Sequence, residues 1–283
     1  MLLNLGVRGH DFGKLPLPDL ASRIASAGLR CVQLAPPKAV AGLETDVGTL
    51  SPGFAVMCRE ALAREGVAIA VLGCYINLSE PEASRREPQL ERFKTYLRLA
   101  RDFGCSIVGT ESGSLASDFS WHPDNHGEHA YRGVLESVAE LVAEAESFGV
   151  CVGIEGVAHF TIHSPQRLRR LLDDIGSSHL QIILDPVNLL GATIHRDQER
   201  IVKEAFDLLG DRIAVAHLKD FVMEEGRFRS VAAGTPGGML DTELFLRLLA
   251  ERKPGVQIVL EDTHPDTIAS SVETVRTLAA TLG

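Results

Sequence analysis

The sequence contains no apolar stretch approaching the roughly 18 residues that a membrane-spanning helix requires, so it offers no candidate span. Its opening segment, MLLNLGVRGHDFG, has no cationic residues ahead of a short apolar run. It reads as a first strand rather than a targeting signal. Cysteine is scarce: five residues, at positions 31, 58, 74, 105 and 151, with no C-x-x-C pair. An odd set without that spacing favours buried free thiols and a reducing, cytoplasmic compartment over a disulfide framework. No G-x-G-x-x-G follows the first strand candidate, which removes the usual signature of a dinucleotide-binding open sheet. Positive charge is in deficit as well. A formal net charge of −10 argues against nucleic-acid phosphate as the main partner. No low-complexity tract, short-period repeat or domain boundary interrupts the chain, so residues 1–283 are expected to form one domain.

What the chain does have is alternation. Strand-like runs at 2–7, 30–35, 67–74, 106–111, 151–156, 180–186, 213–219 and 256–262 carry β-branched residues on both parities, as strands buried on both faces do. Helix-like stretches fall between them, at 18–27, 52–65, 88–103, 128–148, 165–175, 197–209, 241–252 and 266–281. Gly28, Gly66, Gly104, Gly149 and Gly210 sit just past helix ends, where a left-handed backbone is needed. Ser164-Pro165 reads as an N-cap followed by a first-turn proline, and Asp241 as a second start signal. Eight of each element in a 283-residue chain match a closed (β/α)8 TIM barrel, with the open doubly wound sheet as competitor. Three connections are long, over about 36–51, 112–127 and 220–240, and all follow strands. That rim carries the active site in such barrels.

Four potential metal ligands each close an apolar run: Glu155 in VGIEGV, Asp185 in QIILDPVN, His217 in IAVAHLKD and Glu261 in QIVLED. Their separations are 30, 32 and 44 residues. One strand–helix–strand unit takes about 30 residues, so the first two steps fit successive parallel strands whose C-terminal ends meet at one rim. Side chains alternate along a strand, so Lys219 shares the parity of His217. A charged group pointing inward from an apolar strand is costly unless it is paired, and a shared cation removes that cost for several groups together. Three carboxylates and an imidazole suit a hard or borderline divalent cation. Rim salt bridges are the plainer alternative for any one of the four.

These segments also resemble a known family. GIEGV, ILDPVN, AHLKD and VLED, with VGTESG ahead and AAGTPGGMLD behind, look like the sugar isomerase/epimerase group with a xylose-isomerase-like barrel. That group includes ketose 3-epimerases, hydroxypyruvate isomerases and inosose dehydratases. The resemblance covers about half of the chain in motif order. It implies a (β/α)8 barrel in which Glu155, Asp185, His217 and Glu261 hold Mn²⁺, Mg²⁺, Co²⁺ or Zn²⁺. It further implies a sugar or sugar-acid isomerase or epimerase in which Glu155 and Glu261 move the proton. Ketose 3-epimerases often have a histidine three residues after the Asp ligand; here that residue is Asn188, which cannot carry a positive charge.

Isomerisation or epimerisation removes a proton from carbon next to a carbonyl. A cation stabilises the enediolate that forms, and carboxylates take and return the proton. A cyclic-polyol dehydratase would use the same parts to expel a β-hydroxyl, and a non-catalytic sugar-binding module would use them only to bind. Endonuclease-IV-like nucleases share the barrel but use several zinc ions and many rim histidines. Further substrate contacts are expected from Glu111, Asn188, Lys219, His159, Trp121, His122 and His10. Each has an ordinary reading as rim packing or a salt bridge. For Lys219, the salt-bridge partner would be Asp220 or a nearby Glu. His126 and His129, three apart, could hold a second metal, though loop packing explains them as well. Gly234, Gly237 and Gly238 could cradle a phosphate or simply turn the chain, and Arg227 and Arg229 ahead of them could bind an anion or simply be solvated. The expected partner is a small sugar or polyol, with a homo-oligomer possible and with neither nucleic acid nor membrane involved.

Overall fold

The computed structural model describes residues 3–45, 47–191 and 193–282. Residue 2, at the expected start of the first strand, and residue 46, in the long connection after the second, lie outside them. The strands are β1 (Asn4–Arg8), β2 (Cys31–Leu34), β3 (Ala68–Gly73), β4 (Ile107–Glu111), β5 (Cys151–Glu155), β6 (Leu180–Leu184), β7 (Ile213–Leu218), β8 (Asp220–Glu224), β9 (Arg227–Val231) and β10 (Gln257–Leu260). All but β8 and β9 form a closed parallel barrel in the order β1-β10-β7-β6-β5-β4-β3-β2. Closure is made by β1, which pairs Asn4 with Gln257 on one side and Gly6 with Cys31 on the other. The helices are α1 (Leu17–Ser26), α2 (Pro36–Ala39), α3 (Pro52–Arg64), α4 (Ala83–Leu99), α5 (Glu128–Phe148), α6 (Pro165–Ile175), α7 (Gln198–Leu209), α8 (Thr242–Arg252) and α9 (Ile268–Thr281).

Local chemistry sets most helix boundaries. Ser51, Ser164 and Asp241 cap α3, α6 and α8 by accepting the backbone N–H groups of Phe54, Arg167 and Leu244. Gly149 closes α5 in the left-handed conformation at φ 63°. Gly210, expected to do the same after α7, stays right-handed at φ −53°. Helix α4 starts at Ala83, five residues before the expected Pro88, which lies inside it. The missing proline N–H forfeits one bond, to the Ser84 carbonyl one turn earlier.

The long connection at 220–240 is not irregular. It contains the antiparallel hairpin β8–β9, turned at Glu225 (φ 49°) and Gly226 (φ 76°). Two positive-φ residues give the turn whose twist matches a hairpin. The connection at 36–51 begins with α2, whereas 112–127 has no helix or strand.

The barrel interior is layered. Cys31, Val71, Ile107, Ile183, Val215 and Val259 pack an apolar floor, each at most 8% exposed. Two glycines make room for it. A Cβ at Gly109 would stand 2.6 Å from Ile183 Cδ1 and 2.8 Å from Val71 Cγ1, and one at Gly153 would stand 2.9 Å from Ile107 Cγ2. Ile183 therefore fills the barrel axis beneath whatever the next layer holds. Cys31, Cys58, Cys74 and Cys105 are buried and Cys151 is half-buried, and none of them forms a disulfide.

Candidate metal centre

The layer above that floor follows from strand parity. Two residues beyond Cys31, Gly153, Ile183, Val215 and Val259 come Gln33, Glu155, Asp185, His217 and Glu261. Each therefore projects to the same side as its apolar predecessor, one step nearer the mouth. Glu155, Asp185, His217 and Glu261 are 1%, 1%, 0% and 4% exposed. Each offers one ligand atom, and all four atoms lie within 4.8 Å of one another. A cation with bonds of about 2.0–2.6 Å sets opposite ligands about 4–5 Å apart, so the spacing accommodates one.

The hydrogen bonds aim the imidazole at the carboxylates. His217 Nε2 donates to Gln33 Oε1 at 2.8 Å, since that oxygen can only accept, and Gln33 Nε2 donates to Tyr75 OH at 2.9 Å. The other ring nitrogen, Nδ1, stands 3.3 Å from Glu155 Oε2 and 3.2 Å from Glu261 Oε1. It is buried and makes no hydrogen bond. In the neutral ring a lone pair thus faces carboxylate oxygens, an arrangement that a cation between them would stabilise. Otherwise the ring itself becomes the cation: burial lowers its affinity for a proton, but Glu261 and Glu155 outweigh burial and lift its pKa to about 9.

Lys219 supplies the other positive charge. Its Nζ lies 2.8 Å from Asp185 Oδ2 and 2.8 Å from Glu261 Oε2, so its partners are metal-layer carboxylates and not Asp220. Burial pushes Glu261 up, but Lys219, His217 and Arg8 outweigh it and hold that carboxylate well below its usual range. Burial raises Asp185 to about 6 against the pull of Lys219. Glu111, in register with Glu155, is raised to about 8, first by burial and then by Glu155 and Glu261.

A cavity of about 470 Å³ opens above this layer. Of the expected substrate contacts, His10, Glu111, Asn188 and Lys219 line it. The Asn188 amide is already engaged, donating to Glu155 Oε1 at 2.6 Å while its backbone N–H donates to Asp185 Oδ1. Trp121 and His159 instead line a neighbouring cavity, and His122 lines neither, its Nδ1 accepting from the Asp124 N–H. His126 stacks on His163 at 3.8 Å while His129 is exposed on α5, so the two do not form the paired site their spacing allowed. Gly238 fits closely against Asp220, whose carboxylate accepts the N–H groups of Phe221, Met239 and Leu240. That glycine serves an internal turn rather than a phosphate cradle. Arg229 pairs with Glu224 across the hairpin.

Seven cavity residues escaped the sequence reading: Arg8, Gln33, Lys38, Tyr75, Phe119, Ser230 and Asp262. Arg8 bridges Asp11 at 3.0 Å and Asp262 at 3.1 Å and stands 3.8 Å from Glu261. Gln33 had a legible signal, a polar residue inside the apolar strand CVQL. A larger cleft of about 680 Å³ runs along α7, but its charges pair among themselves, Arg200 with Asp197 and Glu204, and Lys203 with Glu199.

Solved structures share this architecture. A D-tagatose 3-epimerase-like protein is 17% identical with a TM-score of 0.78, over 99% of this chain and 98% of that one. The 3-keto-D-glucoside 4-epimerase from E. coli is 15% identical with a TM-score of 0.75, over 98% and 100%. An IOLI protein with a binding zinc atom is 14% identical with a TM-score of 0.74, over 99% and 98%. At these identities the likeness is one of fold. No curated protein sequence matches the chain. The family model described as xylose isomerase-like TIM barrel matches residues 21–279. The closed eight-stranded barrel and that match agree, and the chain belongs to the xylose isomerase-like TIM barrel family.

Proposed function

We propose that this chain is a divalent-metal-dependent isomerase or epimerase of a sugar or sugar acid. The observation that carries the reading is the buried His217 Nδ1, aimed at Glu155 and Glu261 with no hydrogen-bond partner. Glu155, Asp185, His217 and Glu261 would hold the ion, and the neighbouring proteins named for epimerisation and for bound zinc support the assignment. When bound, the dication polarises the substrate carbonyl and stabilises negative charge as it develops.

The chain's own residues do the rest. Glu155 ends β5 and Glu261 follows β10, three places apart around the ring. That suits one to take a proton from carbon and the other to return it. Asn188 fixes one oxygen of Glu155, leaving the other directed at His217. Lys219, His217 and Arg8 keep Glu261 ionised. The apolar floor of Ile183 and Val215 excludes water from below.

A dehydratase reading draws on Glu111, whose carboxyl, raised to about 8, could give a proton to a departing hydroxyl. The two are separated by screening Mn²⁺-reconstituted protein against ketoses, aldoses and inososes in D₂O. Deuterium in an isomeric product marks proton transfer; loss of water marks elimination. Glu155→Gln and Glu261→Gln are expected to fold normally and to lose about 10²–10⁴-fold in turnover. Wild-type turnover in both variants would remove their acid/base roles.

A further inference from the structure

The metal cavity does not stand alone. A second cavity of about 640 Å³ adjoins it, and Asn188 and Ser230 line both. Each volume falls in the range of about 300–1,000 Å³ that takes a small ligand, so a single sugar ring over the metal layer leaves the outer cavity unfilled.

One turn serves the two spaces. Phe119 lines the inner cavity and Trp121, two residues on, lines the outer. Phe119 is left-handed at φ 62°, a conformation uncommon for a bulky residue. It is held there by a Phe119 N–H to Ala116 carbonyl bond and by the Ser114 hydroxyl, which donates to the Ser120 carbonyl at 2.6 Å. Trp121, the only tryptophan of the chain, is left 60% exposed. Phe228 on β9 also lines the outer cavity and is itself stacked on Phe221 at 4.7 Å.

The remaining wall is mixed: Val157, Val187, Leu190 and Ile194 are apolar, and three histidines supply polar atoms. His126, His159 and His163 line it. Buried Asn125 donates to the His159 carbonyl at 2.9 Å, and the His126 ring bonds the Ala158 carbonyl at 3.1 Å while stacking on His163. Burial, assisted by His126, lowers the pKa values of His159 and His163, the latter to about 4. Those two imidazoles are therefore neutral at pH 7 and suit hydroxyl groups rather than an anion.

We propose that the outer cavity is a subsite for a second sugar ring, stacked against Trp121, so that the preferred substrate is a glycoside or disaccharide whose reacting ring occupies the metal cavity. This rests on the sugar-converting reading of that cavity.

The single tryptophan reports occupancy directly. Mn²⁺-loaded wild type is titrated with cellobiose, maltose and sucrose and with their component monosaccharides, following Trp121 fluorescence. A saturable change with at least one disaccharide, at concentrations tenfold or more below those its monosaccharides require, is expected. Calorimetry on Trp121→Ala is expected to show about tenfold weaker binding of that disaccharide, about 1.4 kcal/mol. Binding of every disaccharide no tighter than its monosaccharides, or unaltered affinity in Trp121→Ala, overturns the subsite. Turnover of monosaccharides without disaccharide preference leaves the metal-centre reading standing and removes the subsite. Disaccharide-selective binding, with neither that disaccharide nor its monosaccharides turned over in D₂O, keeps the subsite and removes the sugar-converting reading of the metal cavity.

Discussion

Replacing Lys219 by methionine tests the electrostatics of the centre with little change of shape. The ammonium touches Asp185 and Glu261 at 2.8 Å each and the residue is 4% exposed, so its removal leaves buried carboxylates without their cation. Breaking a buried pair in this way costs about 3–5 kcal/mol. At about 2 °C per kcal/mol for a chain of this size, the metal-free protein should melt about 6–10 °C lower. A dication would supply the same charge, so the loaded variant should lose less. The difference appears as tighter metal binding: about 2 kcal/mol relieved is about 30-fold in Kd. Asp185, already raised to about 6, should take up a proton at neutral pH once Lys219 is gone. Metal binding would then release that proton, and the calorimetric enthalpy would vary with the buffer's ionisation enthalpy. Thermal melts in EDTA and Mn²⁺ titrations of both proteins decide the matter. A metal-free melting point within about 2 °C of wild type, or Mn²⁺ binding no tighter in the variant, refutes the reasoning.

The floor of the barrel offers a second test. Gly109→Ala places a methyl 2.6 Å from Ile183 Cδ1 and should cost about 1–3 kcal/mol in denaturant melts. Adding Ile183→Val, which deletes that atom, should recover part of it; equal costs in both backgrounds would show that the contact is not the cause. Stability should also fall with acid. His10 and His163 have folded pKa values lowered to about 4, chiefly by burial, against 6.5 when unfolded. The unfolded chain therefore binds their protons first, so the stabilisation is complete above pH 6.5 and is lost as pH falls from 6.5 to 4. The slope is at most about 1.4 kcal/mol per pH unit per histidine, and His163→Asn should flatten it. A pH-independent stability across that window would contradict both assignments.

The ligand layer was legible because barrel geometry converts sequence spacing into proximity. Glu155, Asp185, His217 and Glu261 each stand two residues past an inward small or apolar residue, and the unit length of the fold brings those positions to one height. The residues that shape the rest of the cavity carried weaker signals. Tyr75 lies two residues beyond the end of β3, and its partner Gln33 is 42 residues away in sequence. Arg8 pairs with Asp262, 254 residues distant, across the closing seam between β1 and β10. No local pattern anticipates either contact. The hairpin at 220–231 was readable: DFVME and RFRSV flank the two-residue turn Glu225-Gly226.

The placement of Lys219 bears on how three buried carboxylates are held together. Three carboxylates over a floor of Ile183, Val215 and Val259 repel one another in a medium that screens poorly. Lys219 follows directly on the end of β7, two residues past His217, and reaches Asp185 and Glu261. One short segment therefore carries both the imidazole and the charge that holds the acids together. A lysine so placed neutralises them while remaining on the cavity wall. A dication that takes over the neutralisation would leave its ammonium available to a substrate oxygen. Metal loading and substrate binding would thereby be coupled through one side chain, and Lys219→Met should weaken substrate binding even as it tightens the metal.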